Sequence, residues 1–197
     1  MLKKVWALPE MKLSLPASLA RVGGTTNLLE ELAESGLITP YVPFDRTAKD
    51  SIYKLTDEYS LFYVKFIEHT KFKGPGTWQR LSTGASWKSR SGIALVSICM
   101  KHETAIKAAL GIGSVHTETS MWRYRPAKDR KGVQIDLLID RRDHCINVCE
   151  IKFSKDEFEI TKAYAFELEN KPKVFRGNTK TRKTLFLTIS TTCGVKN

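Results

Sequence analysis

Three ionisable side chains stand out because they interrupt apolar, strand-like stretches of the sequence. Asp136 lies within residues 134–140, and Glu150 and Lys152 lie within residues 148–154. Because side chains alternate along a strand, Glu150 and Lys152 would share one face of theirs. Burying two acids and a lysine in a sheet is costly unless something compensates their charge. A divalent cation held by the two carboxylates would supply that compensation.

The chemistry that these three residues predict is metal-assisted hydrolysis of a phosphodiester. Mg²⁺, or Mn²⁺ in its place, accepts one or two carboxylates and keeps several waters for a substrate phosphate. Lys152 could orient or deprotonate the attacking water and stabilise charge on the phosphoryl oxygens. The alternative is an ordinary Glu–Lys pair at a strand edge beside an unrelated aspartate, because the spacing of the three residues is a loose pattern.

The elements predicted around these residues follow the order αβββαβ. They are a long helix, a meander of three strands, a crossover helix and a doubly buried last strand, over Trp87–Leu110, Val115–Tyr124, Val133–Asp140, Cys145–Phe153, Glu159–Asn170 and Thr184–Ser190. A tight hairpin at residues 141–144 would make the second and third strands antiparallel and bring Asp136 roughly level with Glu150. This order predicts an α/β domain with a mixed sheet in three layers.

A smaller winged-helix-like domain is predicted over residues 1–68, followed by a linker at 69–85 and the larger domain at 86–197. Its parts are a helix over Thr26–Ser35 that Asn27 caps and Gly36 ends, and two strands with a further helix capped around Asp57; the strands are Leu37–Phe44 and Ser51–Leu55. Winged helices commonly read DNA with their third helix.

The candidate recognition helix carries only acidic charges, Glu30, Glu31 and Glu34. Carboxylates facing a phosphate backbone would be repelled. We therefore favour a scaffold or protein-docking winged helix over a DNA-reading one. A winged-helix transcription regulator is the weakest alternative, because it leaves the three candidate site residues without a role.

The net charge of the chain favours a polyanionic partner. Its 32 Lys and Arg against 21 Asp and Glu give a formal charge of +11, which attracts nucleic acid. Two basic clusters, at residues 123–131 and 171–183, flank the candidate site. Each could be a solvated loop, but phosphate contact is favoured, and the residues that we expect to contact DNA are Arg123, Arg125, Lys128, Arg130, Lys131, Lys180, Arg182 and Lys183.

The cysteines do not form a recognisable metal site or disulfide framework. Cys145 and Cys149, with His144 beside them, do not match the paired spacing of structural zinc, so we expect them and the other cysteines, Cys99 and Cys193, to be reduced and structural. No apolar run reaches the roughly 18 residues of a membrane helix, and Pro9 and Glu10 interrupt the start before a signal peptide could form. These features predict a cytoplasmic protein without a membrane partner.

The stretch Gln134–Ser154 resembles the core of PD-(D/E)xK nuclease-like domains at the C-terminus of bacterial and archaeal AAA+-type ATPases. The stretches Glu34–Phe44, Tyr53–Glu68 and Trp87–Leu110 resemble the same family, so that the likeness covers nearly the whole chain from about Ala17. The resemblance implies a restriction-endonuclease-like fold behind a winged helix. It also implies the roles of the site residues: Asp136 and Glu150 as metal ligands, Lys152 as the catalytic lysine and Gln134 as a helper.

Two departures from that family shape the functional hypotheses. The sequence has no G-x-x-x-x-G-K-[ST] loop, so we expect a C-terminal fragment, or a truncated or split gene, with an ATPase domain or subunit as a candidate partner. The first helix carries Val96 where the family has an acid; Glu103 could replace it, although a solvent-facing Glu103 is favoured. One hypothesis is a Mg²⁺-dependent DNA nuclease. The other is a catalytically inactive module that binds nucleic acid or protein and regulates an ATPase.

Overall fold

Two compact units, dividing between Leu81 and Ser82, make up the chain in the computed structural model. The structure describes residues 24–68, 70–71, 74–126 and 132–196. The division falls inside residues 69–85, which the sequence predicted as a loop-like linker. That interpretation is wrong in part, because this stretch contains a helix, α3 (Thr77–Thr83). The backbone N–H of Thr77 donates to the Gly74 carbonyl 3.2 Å away and forms the turn that leads into α3.

The first unit combines helices with a two-stranded antiparallel ribbon. Its helices and strands include α1 (Gly24–Glu34), β1 (Ile38–Tyr41), β2 (Ile52–Leu55) and α2 (Glu58–Phe62), which a π-helical segment over Tyr63–Ile67 continues. Gly36 follows α1 with φ +75°, which glycine adopts without a Cβ penalty, so the predicted stop is confirmed. The predicted cap is wrong, because Asn27 lies inside α1. Asp57 does cap α2, since its carboxylate accepts the Ser60 N–H at 2.6 Å.

The winged helix remains a prediction. Its first two helices would precede Gly24 and lie outside the described residues. The ribbon strands are shorter than expected, and Leu29, Ile38 and Tyr53 form the buried cluster beneath them. The acidic side chains of α1 are exposed, as the sequence suggested: Glu30, Glu31 and Glu34.

The second unit is a mixed α/β arrangement built on a mixed sheet. Its elements are α4 (Ala85–Lys101), α5 (Glu103–Ala109), β3 (Thr117–Tyr124), β4 (Val133–Arg141), β5 (Cys145–Lys152), α6 (Lys162–Thr179) and β6 (Thr184–Thr191). The described strands lie in the order β3-β4-β5-β6. The first three are antiparallel, and β6 runs parallel to β5 after the crossover through α6. The predicted order of elements is confirmed, with α5 as an addition.

The predicted long helix over Trp87–Leu110 is two helices. His102 adopts φ −109° and ψ 36°, which interrupts the helical path between α4 and α5. Glu103 therefore starts a new helix. Val96 and Glu103 therefore lie on different helices, and the prediction of one unbroken helix over this range is wrong.

The sheet carries helices on both faces. Cys99 of α4 and Ile112 pack against Leu137, Cys149 and other alternate residues of β4 and β5. Leu168 and Phe175 of α6 are buried on the other side. The sheet is therefore the middle of three layers, as expected from its order of elements.

Two further expectations fail in this unit. α6 was predicted to end at Asn170, yet it continues through Pro172 to Thr179. Proline removes one helical hydrogen bond, but Leu168 and Phe175, at 2% and 0% exposure, bury the helix on both sides of it. The last strand was predicted to be buried on both faces. Instead β6 exposes Phe186 and Leu187 by 46% and 39%.

Candidate active site

A β-bulge in β4 positions Asp136. Asp136 and Leu137 together lie opposite a single residue of β3, Met121; the pairs on either side are Ser120 with Leu138 and Trp122 with Ile135. A bulge redirects side chains and interrupts the ladder locally. On the β5 side, the register pairs Leu137 with Cys149. Leu137 follows Asp136 in the sequence, and Cys149 precedes Glu150. This register agrees with the expectation that the two carboxylates lie level with each other.

The Asp136 carboxylate takes the place of a backbone acceptor where the β4–β5 ladder ends. Its Oδ2 accepts the Ile151 N–H at 3.4 Å, and its Oδ1 accepts the Gln134 amide at 3.2 Å. Burial, followed by the negative charge of Glu150, raises the pKa of Asp136, while Lys171 and the two hydrogen bonds oppose that rise. Burial and a second nearby carboxylate both disfavour the charged form of a carboxyl group.

Glu150 is the most buried acid of the site, at 2% exposure. Its Oε1 accepts the Tyr164 hydroxyl at 2.8 Å and lies 3.0 Å from the Lys152 ammonium. Its Oε2 accepts a hydrogen bond from the ammonium of Lys171. Burial alone would raise the pKa of Glu150, but the hydrogen bond and charge of Lys171, with Tyr164 and Lys152, lower it below its ordinary value.

Lys152 joins this buried group to the solvent. Its side chain is 37% exposed while its ammonium contacts Glu150. The same ammonium lies 5.3 Å from the centre of the Tyr164 ring, within the range of a cation–π contact. The Lys152 ammonium is therefore paired with Glu150, while part of the Lys152 side chain remains exposed to solvent.

Tyr164 and Lys171 are site residues that the sequence reasoning did not identify as such. Both project from α6 onto Glu150 and lie seven residues, or about two helical turns, apart. The signal was present: Tyr164, Leu168, Lys171 and Phe175 follow a 4-3-4 spacing that marks one helical face. The predicted helix ended at Asn170, one residue before Lys171, whereas α6 continues to Thr179. Burial and the Glu150 contact raise the pKa of Tyr164, so its hydroxyl remains a hydrogen-bond donor.

The N-terminal end of α6 is fixed by local contacts that hold Tyr164 in place. Thr161 caps the helix by accepting the Tyr164 N–H at 3.3 Å. The Phe158 ring meets the Tyr164 ring edge-on, with centroids 5.5 Å apart. Phe158 is itself anchored by the C-terminal segment, because its N–H donates to the Gly194 carbonyl at 2.9 Å.

The helix that carries Val96, α4, contributes no acid to the Glu150 cluster in the described part of the chain. Val96 packs into the apolar cluster that includes Cys149 and Ile151, so it lies on the α4 face of the sheet, whereas Glu150 faces α6. Glu103 is half-buried rather than solvent-facing, and its Oε2 is buried without a hydrogen-bond partner. Across the described residues, no three His, Cys, Asp or Glu side chains are grouped so that they could hold a metal ion together.

The residues expected to contact DNA fall into different environments. Arg123 lies opposite Gln134 in the β3–β4 register, beside the amide that holds Asp136. Burial and the charge of nearby Arg125 lower the pKa of Arg123. Lys183 is engaged within the fold, since its ammonium pairs with Asp140. Lys180, with φ +55°, ends α6, and Arg182 is exposed; Lys128, Arg130 and Lys131 lie outside the described residues.

All cysteines are free thiols, as expected. Burial raises the pKa of Cys149 to about 12, which suits a structural thiol. Among the described helices, none combines the length and apolar character that crossing a bilayer requires. Comparison of the sequence with protein-family models, with curated proteins and with solved structures gave no match.

Proposed function

We propose that the second unit is a metal-dependent, nuclease-like domain that hydrolyses phosphodiester bonds in DNA. The observation that supports this proposal most directly is the meeting of Asp136, Glu150 and Lys152 at one point of a mixed sheet. The αβββαβ order around them is the one expected for a restriction-endonuclease-like fold. The resemblance to the C-terminal domains of AAA+-type ATPases belongs to the same proposal.

The donor set fits a divalent cation such as Mg²⁺ or Mn²⁺. Asp136 and Glu150 offer carboxylate oxygens, which these hard cations prefer. Burial and then repulsion from Glu150 raise the pKa of Asp136, and a bound cation would oppose both effects. With two protein carboxylates, the remaining positions would go to water and to substrate phosphate. When bound, the cation would activate water and neutralise charge on the phosphoryl group.

The chain's own groups have separable roles in this proposal. Gln134 and the Ile151 N–H each hold one oxygen of Asp136 and so set the orientation of its carboxylate. Tyr164 holds Glu150 Oε1. Lys152, whose side chain is partly exposed, would hold the attacking water or donate to a phosphoryl oxygen. Arg123, on the neighbouring strand β3, and Arg125, just after that strand, would contact the DNA backbone.

Cleavage assays with linear, circular and single-stranded DNA, in Mg²⁺, Mn²⁺ or EDTA, test this proposal. We expect metal-dependent cutting that falls by at least about 100-fold in Lys152→Ala, because the variant loses the group that acts on water or phosphate. Lys155→Ala is the matched control, since Lys155 is an exposed lysine three residues further on. Cutting that survives in Lys152→Ala, Asp136→Ala and Glu150→Ala alike would refute the proposal.

The second candidate is a non-cutting module that binds DNA or an ATPase. The observation that favours it is the ion pair between Glu150 and Lys171, which already neutralises a candidate metal ligand. On this account, DNA or partner affinity measured in EDTA would be unchanged by Asp136→Ala and Lys152→Ala. A loss of affinity in these variants would instead show that the Asp136–Lys152 site takes part in binding.

A further inference from the structure

We propose that Lys171 is the resident counter-ion of Glu150 and that a divalent cation enters the site by displacing it. This proposal rests on the proposed function in one respect, because it takes Glu150 as a metal ligand. It adds a competitor that lies on α6, outside the Asp136, Glu150 and Lys152 set. Lys171 would then control how tightly the site binds its metal.

The donors around the Glu150 carboxylate indicate which of its two oxygens a cation would bind. Oε1 has two partners, the Tyr164 hydroxyl and the Lys152 ammonium. Oε2 accepts its contact from Lys171. A cation that binds Glu150 through Oε2 would therefore leave the Tyr164 and Lys152 contacts intact and replace the Lys171 contact.

The charges of the site balance before any metal is added. Asp136 and Glu150 bring two negative charges, and Lys152 and Lys171 bring two positive ones. Like charges at contact distance repel strongly where water is scarce, and Glu150 is almost fully buried. A divalent cation on Glu150 therefore cannot share the carboxylate with the Lys171 ammonium at low cost, and the long lysine side chain is the group that can move.

A neighbouring lysine on the same helix provides a matched comparison. Lys173 forms a surface pair with Glu169 at 3.8 Å, and both side chains are more than 60% exposed. Lys171 is only 18% exposed, and its partner 3%. Exposed ion pairs contribute little to stability. Removing the Lys173 charge therefore changes the net charge of the protein as much as removing the Lys171 charge, but it leaves the contacts of Glu150 unchanged.

The first test measures Mn²⁺ affinity of the full chain by titration calorimetry and by the electron paramagnetic resonance signal of free Mn²⁺. We expect Lys171→Met to bind Mn²⁺ about ten-fold more tightly than the wild type, a change of about 1.4 kcal/mol. Lys173→Met should bind like the wild type, and Glu150→Gln should bind far more weakly. Equal or weaker binding by Lys171→Met, or no Mn²⁺ binding by either protein, would overturn the proposal.

The second test uses the wild-type protein, so that it also decides the matter if Lys171→Met fails to fold. Lysines are acetylated with an N-hydroxysuccinimide ester with and without saturating Mn²⁺, and modification is quantified by mass spectrometry. Lys171 should become several-fold more reactive when the metal enters, while Lys173 should not change. Unchanged Lys171 reactivity would overturn the proposal. Displacement without any DNA cleavage would support it and refute only the nuclease activity.

Discussion

Lys171 contacts the Oε2 atom of Glu150 from α6, while Lys152 contacts the Oε1 atom from the same strand as Glu150. One buried carboxylate thus lies between two ammonium groups that reach it from different elements. The arrangement satisfies Glu150 in the folded protein, because a buried charge is tolerated when it is paired and hydrogen-bonded. Each contact of Glu150 comes from a different residue, so each can be removed by a single substitution.

The Tyr164 hydroxyl should contribute measurably to the stability of the second unit. Tyr164→Phe removes a 2.8 Å hydrogen bond to a buried carboxylate, and hydrogen bonds to charged groups are worth about 1.5–3 kcal/mol. We expect the free energy of unfolding in urea, measured in EDTA, to fall by that amount. Tyr59→Phe, at a residue that is 69% exposed, should change it by less than about 0.5 kcal/mol. Equal stability of the two variants would contradict this account of Glu150.

Two glycines of the second unit should respond to alanine with opposite signs. A Cβ on Gly132 would lie 2.8 Å from the Tyr124 carbonyl oxygen, so the backbone would have to shift. Gly132→Ala should therefore lower the free energy of unfolding by about 1–3 kcal/mol. Gly177 lies inside α6, and a Cβ added there would meet no atom within 4 Å, so Gly177→Ala should raise stability by about 0.5–1 kcal/mol. Thermal and urea unfolding measure both variants. A change of the same sign in the two variants would contradict the prediction.

Thiol labelling should separate the cysteines by their positions in the fold. Cys99 and Cys149 are buried, Cys145 is partly buried and Cys193 is exposed. With iodoacetamide at pH 8, Cys193 should react first, and Cys149 should be protected because its thiol is buried and its pKa is raised. In urea all should react at similar rates. Rapid labelling of Cys149 in the folded protein would show that the α4 face of the sheet opens.

Arg125 should contribute to DNA binding through the phosphate backbone. Arg125→Ala should weaken binding of all DNA sequences similarly and reduce the slope of log K against log salt by about 0.9, the value for one lost phosphate contact. Lys88→Ala, on the exposed side of α4, is the control. Fluorescence anisotropy across a salt series measures both. An unchanged slope in Arg125→Ala would remove this residue from the proposed DNA contacts.

The order of elements and part of the site could be predicted from the amino-acid sequence alone. Alternation along each strand placed Glu150 and Lys152 on one face, and the short hairpin after β4 set the register that brings Asp136 beside them. These features depend on residues that are near each other along the chain. For that reason local periodicity and turn length were sufficient to predict them.

What Glu150 contacts, in contrast, depends on packing between elements that are far apart in the sequence. The bulge at Asp136 and the passage of α6 through Pro172 depend on such packing as well. Local rules predicted a helix end before Pro172, but the burial of Leu168 and Phe175 outweighs one lost hydrogen bond. That extension of α6 brings Lys171 to Glu150 across 21 positions of sequence, a contact that neither residue's neighbours in the chain could specify.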